Sequence, residues 1–330
     1  MSGRYLIVGA GAIGALLAAQ WTLAGIPAVL IARGRQLEAI RRNGVRVRRP
    51  QGDETVPVTV ASAIDEASPA RADTVVLAVK SQDAETAVAA IAWRPLVDGG
   101  VIADLPILTL QNGLAAEDVA LRRFARVTGV SIGIAASHLE PGVVVSPSWP
   151  VIGVAWLGGH PAASAQSDER HRAAFERAGY AAFVEPDIAA AKRRKLLGNL
   201  RNVVEVFRAS EEELVRATDD LRDEARGLFE RLGLPVAADP DPGAIRLRIE
   251  PIDGHEPGHL STWQSLARGA SVESDYLSGE IVLLARRAGL AAPRNAAIQR
   301  ALGVLAGSGG APGTAPLPPE LARSAAVAGA

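Results

Sequence analysis

The sequence predicts an α/β protein in two parts: a doubly wound parallel sheet over residues 1–186, then an all-helical domain over 187–305. Residues 306–330 are left as a flexible tail. Three observations predict this. Short apolar runs alternate with amphipathic stretches through the first half, the rhythm of parallel strands covered by helices on both faces. A glycine triplet, Gly9, Gly11 and Gly14, stands between the first strand and the first helix. From about Ile188 that rhythm stops, and long helical patterns run to about Leu305.

Strands are expected at Tyr5–Val8, Ala28–Ala32, Thr74–Val79, Ile107–Leu110 and Arg126–Ile132. Helices fill the intervals near 12–24, 35–42, 82–92 and 115–124. The segment "VRVRRPQGDETVPVTV" has alternating valines about a turn glycine, which predicts a hairpin inserted after the second unit. A further β-rich stretch, "GVVVSPSWPVIGVAWLG", closes the first domain. The last residues, "GSGGAPGTAPLPPELARSAAVAGA", are rich in Gly, Ala and Pro, a composition that favours a mobile tail.

Composition narrows the function. Thirty-five basic against 36 acidic side chains give no electrostatic drive toward nucleic acid. The expected partners are a small molecule and a second copy of the chain. No run of about 18 apolar residues is present, so no membrane span is expected. The chain enters an apolar strand at once ("RYLIVGAG"), so a signal peptide is not expected either and the reading is cytoplasmic. Without cysteine there is no disulfide or thiolate chemistry. His255 and His259 lie near Asp253 in a Gly/Pro-rich segment, which reads as a surface loop ahead of a metal site; no metal is expected.

In "YLIVGAGAIGALLAAQ" the glycines have G-x-G-x-x-G spacing after a strand and open a helix, the Rossmann-like phosphate-binding signature. Gly9 permits the tight turn, Gly11 lets backbone approach a pyrophosphate, and Gly14 packs helix on strand. Ala10, Ala12 and Ile13 complete the loop, and the helix N-terminus faces the phosphates. The end of the second strand reads "LIARGRQ", with Arg33 and Arg35 and no carboxylate. A guanidinium there suits a 2′-phosphate, so NADP (NADPH) is favoured over NAD. Solvated arginines are the alternative, stronger for Arg35 than for Arg33. Lys80 and Asn112 follow the third and fourth core strands, at the sheet edge where ligands of such folds bind. Asn112 in "QNGL" could instead cap its own turn.

Only three lysines occur in the chain, Lys80, Lys192 and Lys195, and only five asparagines; "AKRRKLLGNLRN" holds two of each. On a helix Lys195, Asn199 and Asn202 share one face at i, i+4 and i+7, beside an apolar stripe of Leu196, Leu200, Val203 and Phe207. Arg194, Arg201 and Glu205 fall on the far, solvated side, and Lys192 has no assigned role. A row bordering the buried face is where a cleft between two domains would run. A carbonyl reductase needs a cation that stabilises the developing alkoxide and can release a proton, which ammonium does and guanidinium does not. A merely solvated helix edge is the competing reading.

On "GAGAIG", "ARG", "AVKSQD", "QNGL", "KLLGN" and "STWQSLARGASVESDYLSGEI" followed by "GLAAPRNAAI", the chain resembles the ketopantoate reductase (2-dehydropantoate 2-reductase) family from residue 4 to about 305. The resemblance implies a Rossmann domain with a helical domain, and NADPH-dependent reduction of 2-dehydropantoate to pantoate. It further implies cofactor contacts at Gly9–Gly14, Arg33, Lys80, Asn112, Ala135 and Glu273. Lys195 would be the general acid, with Asn112, Asn199, Asn202 and Ser261 on the substrate side. Ser261 could equally cap the helix that follows it. Two departures bear on the substrate. The family pattern places its second helix asparagine eight residues after the lysine, whereas Asn202 comes seven after Lys195. A further asparagine is missing where the chain reads "VFRASEEEL". The alternatives are a related NADP-dependent dehydrogenase or imine reductase acting on another oxo or imino acid, and an NADPH-binding regulator without catalysis.

Overall fold

The computed structural model describes residues 3–138, 140–240, 245–255 and 259–322. The chain divides into two compact units. The first comprises Met1–Gln111, Ala115–Ala191 and Asp239–Pro257; the second comprises Asn112–Leu114, Lys192–Ala238 and Gly258–Ala330.

The strands in chain order are β1 (Tyr5–Val8), β2 (Ala28–Ile31), β3 (Val45–Arg49), β4 (Gly52–Val56), β5 (Val60–Ala61), β6 (Thr74–Leu77) and β7 (Ile107–Thr109). They continue as β8 (Val127–Gly133), β9 (Ser137–His138), β10 (Val143–Val145), β11 (Ser148–Pro150), β12 (Val154–His160), β13 (Ala181–Val184) and β14 (Leu247–Ile249). The helices of the first unit are α1 (Ala12–Leu23), α2 (Gly34–Asn43), α3 (Ala84–Ile91), α4 (Ala116–Leu121) and α5 (Ala165–Arg177), and α6 (Ile188–Val204) begins there. The second unit contains the rest of α6, then α7 (Glu211–Arg231), α8 (Ser261–Ala267), α9 (Ser278–Arg287), α10 (Pro293–Gly307) and α11 (Pro319–Ala322).

The first unit is organised on an eight-stranded sheet in the order β13-β12-β8-β7-β6-β1-β2-β5. The strands from β8 to β5 are mutually parallel, and β12 joins β8 antiparallel. Helices cover both faces, so β1 reads apolar throughout and divides its side chains by the two-residue period of a strand. Tyr5 and Ile7 enter one core layer with Leu16, Trp21 and Phe175. Leu6 and Val8 enter the other, with Val88, Ile102 and Phe124. Trp21 is fully buried between rings, 4.2 Å from Tyr5 and 5.7 Å from Phe175. The predicted hairpin forms as β3 and β4, from Val45 opposite Val56 to Arg49 opposite Gly52. It belongs to a separate four-stranded sheet in the order β4-β3-β10-β9.

The second unit is helical around its own core, in which Leu200, Val203 and Phe207 meet Leu221, Phe229, Ile281, Ile298 and Leu302. Ser210 starts α7: its hydroxyl accepts from the Glu213 N–H, and the Glu213 carboxylate accepts from the Ser210 N–H at 2.8 Å. Two donors that a helix end leaves without partners are satisfied reciprocally.

Two expectations about the carboxy-terminal half are corrected. Residues 187–305 do not form one helical block, because Asp239–Pro257 returns to the first unit, where β14 pairs with β11 from Ser148 opposite Ile249 to Pro150 opposite Leu247. The segment from 306 is not a loose tail as far as it is described. The Gly313 N–H donates to the Val206 carbonyl, the Arg208 N–H to that of Ala315, and Leu317 and Leu321 are buried in the helical core. Apolar residues spaced through a Gly/Pro-rich stretch supply enough buried area to order it. The remainder of the expected tail, 323–330, lies outside the described residues.

Candidate active site

The glycine loop lies at the carboxyl end of β1. Gly9 has φ +113°, and a Cβ there would fall 2.9 Å from the Ala78 carbonyl carbon and the Val79 nitrogen. A Cβ on Gly14 would lie 1.9 Å from the Gly9 carbonyl oxygen, so only glycine lets α1 pack this close to the strand. Gly11 differs. It is the exposed N-cap of α1, and a Cβ on it would meet nothing within 4 Å. Space is therefore left beside the Gly11 backbone, at the start of α1. No acidic residue occupies that turn, and no side chain caps it. A helix N-terminus with its positive end uncovered and clearance at the second glycine fits a pyrophosphate.

Arg33 is the N-cap of α2 at the carboxyl end of β2; it and Arg35 are exposed. No carboxylate pairs with either among the described residues, so the guanidinium charge is available at this edge. Lys80 follows β6, half-buried, and precedes the short 3-10 turn Ser81–Asp83. Sequence reading missed what holds that segment. Gln111 is buried, and its amide donates to the carbonyls of Leu77 at 2.8 Å and Val79 at 2.9 Å, pinning the chain that leads to Lys80. Ala135 is half-exposed in the stretch between β8 and β9.

The second unit gathers the other polar residues. Asn199 Nδ2 donates to Asn112 Oδ1 at 3.2 Å, and Asn112 Nδ2 donates to Glu273 Oε2 at 3.2 Å. Asn112 thus connects Asn199 of α6 with the residue before the 3-10 turn at Ser274–Tyr276, instead of serving only its own turn. The turn brings it there because Gly113 has φ +79° and lies against the Tyr276 carbonyl, 2.4 Å from where a Cβ would sit. The buried Glu280 carboxylate accepts from the Leu114 N–H at 3.2 Å. Glu280 is a second residue that the sequence did not mark, since its spacing in "LSGEI" reads as ordinary helix.

Asn202 is only 8% exposed and donates to the Ser261 hydroxyl at 3.3 Å. Ser261 is the first residue of α8 and is exposed; Leu260 occupies the N-cap position, with no side-chain cap. The capping alternative for Ser261 is thereby removed. Lys195 is half-buried one helical turn before Asn199.

Around this row, Arg194 and Glu205 depart from the solvated placement expected of them. Lys192 and Arg193 are buried. Arg193 donates to the Pro235 carbonyl, and Arg194, expected in solvent, is half-buried and donates to that of Ala238. These guanidiniums fasten the chain that follows α7 by taking carbonyls that have no helical partner. Glu205, also expected in solvent, has a side chain 14% exposed and accepts from His259 Nδ1 at 3.0 Å and the Leu260 N–H at 3.1 Å. Arg201 pairs with Glu211 at 2.9 Å. His259 stacks on Trp263 with ring centroids 3.6 Å apart, so it is an ordered part of the helical unit. No helix among the described residues is long and apolar enough to cross a membrane.

Comparison with known proteins bears on these two sets of residues together. The family model described as ketopantoate reductase PanE/ApbA matches residues 5–155, and that of the C-terminal part matches 188–306. The 2-dehydropantoate 2-reductase of Pyrococcus horikoshii is 26% identical over 296 residues, covering 88% of this chain and 94% of its own. That of Mesorhizobium japonicum is 29% identical over 318 residues, covering 86% and 91%. Among solved structures, a PanE/ApbA family ketopantoate reductase from Ralstonia eutropha has a TM-score of 0.74 at 23% identity, covering 93% of this chain and 99% of its own. A D-mandelate dehydrogenase solved with NADH and anilino(oxo)acetate also has a TM-score of 0.74, at 16% identity and the same coverage; at such identities the likeness is one of fold. With both halves of the family matched in order across most of its length, the chain belongs to the ketopantoate reductase family of oxidoreductases.

Proposed function

We propose that the protein is an NADPH-dependent reductase of 2-keto acids, with 2-dehydropantoate the leading substrate. The observation that supports this most is the polar chain Asn199–Asn112–Glu273 beside the pair Asn202–Ser261, on the helix that also carries Lys195. The three amides and the hydroxyl can orient a small polar ligand without carrying charge themselves, while the Glu273 carboxylate holds the Asn112 amide. NADPH, when bound, supplies the hydride. Gly9, Gly11 and Gly14, with the first turn of α1, hold its pyrophosphate, and Arg33 holds its 2′-phosphate. Lys80, Asn112, Ala135 and Glu273 complete the cofactor contacts. The Lys195 ammonium stabilises negative charge growing on the carbonyl oxygen and then donates a proton to it. Asn199, Asn202 and Ser261 orient the keto acid.

A second reading, a different 2-keto acid, is favoured by one feature. Val203, eight residues after Lys195 where the family pattern has an amide, is fully buried in the helical core, so the amide donor comes from Asn202 instead. The reading is tested by following NADPH oxidation with a panel of 2-keto acids that includes 2-dehydropantoate. Turnover of 2-dehydropantoate above the others supports the specific assignment. Good turnover of another acid beside none of 2-dehydropantoate transfers the function to that acid. No NADPH oxidation with any of them contradicts the reductase reading.

A further inference from the structure

Gln36 lies in the first turns of α2, three residues after Arg33, and makes three hydrogen bonds to segments far away in sequence. Its Nε2 donates to the Ala10 carbonyl at 2.9 Å. Its Oε1 accepts from the Gly142 N–H at 2.9 Å and lies 3.0 Å from His138 Nε2. The orientation of the amide is dictated by its partners. A backbone N–H can only donate, so Oε1 must face Gly142, and Nε2 then faces the Ala10 carbonyl, which can only accept. With Oε1 so placed, His138 must carry hydrogen on Nε2.

The Ala10 carbonyl belongs to the same planar peptide as the Gly11 N–H. In a trans peptide the two point in opposite directions, so fixing the carbonyl fixes the aim of the N–H. Gly11, on one side of that peptide, has no Cβ, and a Cβ there would meet nothing within 4 Å, so no side-chain packing at Gly11 fixes the peptide's aim. Gln36 also ties the loop to the β9–β10 turn. Gly142 there has φ +82°, and a Cβ on it would lie 3.3 Å from Ala39 of α2. We propose that Gln36 is a positioning residue of the cofactor site: by holding the Ala10 carbonyl it presents the Gly11 N–H to a dinucleotide pyrophosphate. The proposal rests on the reading of this loop as the cofactor's phosphate site.

Two variants and two ligands test it. Gln36→Met keeps the side chain's length and removes every bond. Gln36→Glu keeps an acceptor for Gly142 and His138 but loses the donor to Ala10. NADPH binding is followed by fluorescence titration, alongside 2′-phosphoadenosine, which carries the 2′-phosphate but no pyrophosphate, and thermal unfolding checks that each variant is folded. Both variants should weaken NADPH by roughly tenfold while leaving 2′-phosphoadenosine within about twofold, the scale of one hydrogen bond's net worth. Wild-type affinity in Gln36→Glu would overturn the proposal, as would equal weakening of both ligands, which would mean that Gln36 acts through Arg33 or general folding. If the unaltered protein binds 2′-phosphoadenosine but not NADPH, the cofactor reading itself falls and takes the proposal with it.

Discussion

His171 of α5 is 1% exposed, its Nδ1 lying 3.0 Å from the Tyr5 hydroxyl, and its Nε2 has no hydrogen-bond partner among the described residues. Burial, with the nearby Arg170 charge adding to it, lowers its pKa to about 4. The unfolded chain therefore takes up a proton near pH 6.5 that the folded one refuses until about pH 4. The stability contributed by neutral His171 is complete above pH 6.5 and is lost as pH falls from there toward 4, by about 3 kcal/mol. Urea unfolding of the wild type and His171→Gln at several values across that range should show a steeper loss in the wild type. Parallel curves would mean that His171 titrates normally.

Register matters as much at residue scale. A one-residue shift rotates a helical side chain by about 100°, yet Asn202 at position seven still reaches Ser261, because α8 presents its first residue to that side of α6. The helical phase of Lys195, Asn199 and Asn202 was legible in the sequence. That Ser261 would meet Asn202 was not, since it depends on how α8 packs.

At the scale of elements, the missing family asparagine has a physical counterpart. The residues there, Ser210 to Glu213, form the reciprocal cap of α7, a 21-residue helix that carries Leu214, Leu221 and Phe229 into the core. Ser210→Ala should lower stability by about 1 kcal/mol, measured by chemical denaturation, with the affinity for NADPH unchanged. No loss would show that the cap is replaced by water. The strands and the glycine loop of the first unit were legible because their signals are local: short continuous apolar runs, and glycine at Gly9 and Gly14 where the backbone forces it. Gln36, Gln111 and Glu280 were not, because polar residues at helix or strand ends look alike until their distant carbonyl and N–H partners are known. Arg194 and Glu205 were misread for the same reason: charge suggested solvent, whereas each satisfies backbone or side-chain groups elsewhere in the fold.

At the scale of the whole chain, the two-part plan was readable from the loss of strand rhythm after Ile188, but the return of Asp239–Pro257 to the first unit was not. β14 is only three residues long, its pairing with β11 is long-range, and it lies in a Gly/Pro-rich stretch that carries no two-residue period. The burial of Leu317 and Leu321 was likewise hidden by flanking Gly, Ala and Pro. The functional account assigns the cofactor's phosphates to the glycine loop and Arg33 and proton donation to Lys195, so NADPH affinity and turnover should separate under mutation of Lys195. The most direct measurement is single-turnover oxidation of NADPH by the wild type and Lys195→Ala with the preferred keto acid, together with NADPH affinity. The account predicts that Lys195→Ala slows turnover by about a hundredfold or more while binding NADPH as tightly as the wild type. Unchanged turnover in that variant would contradict it.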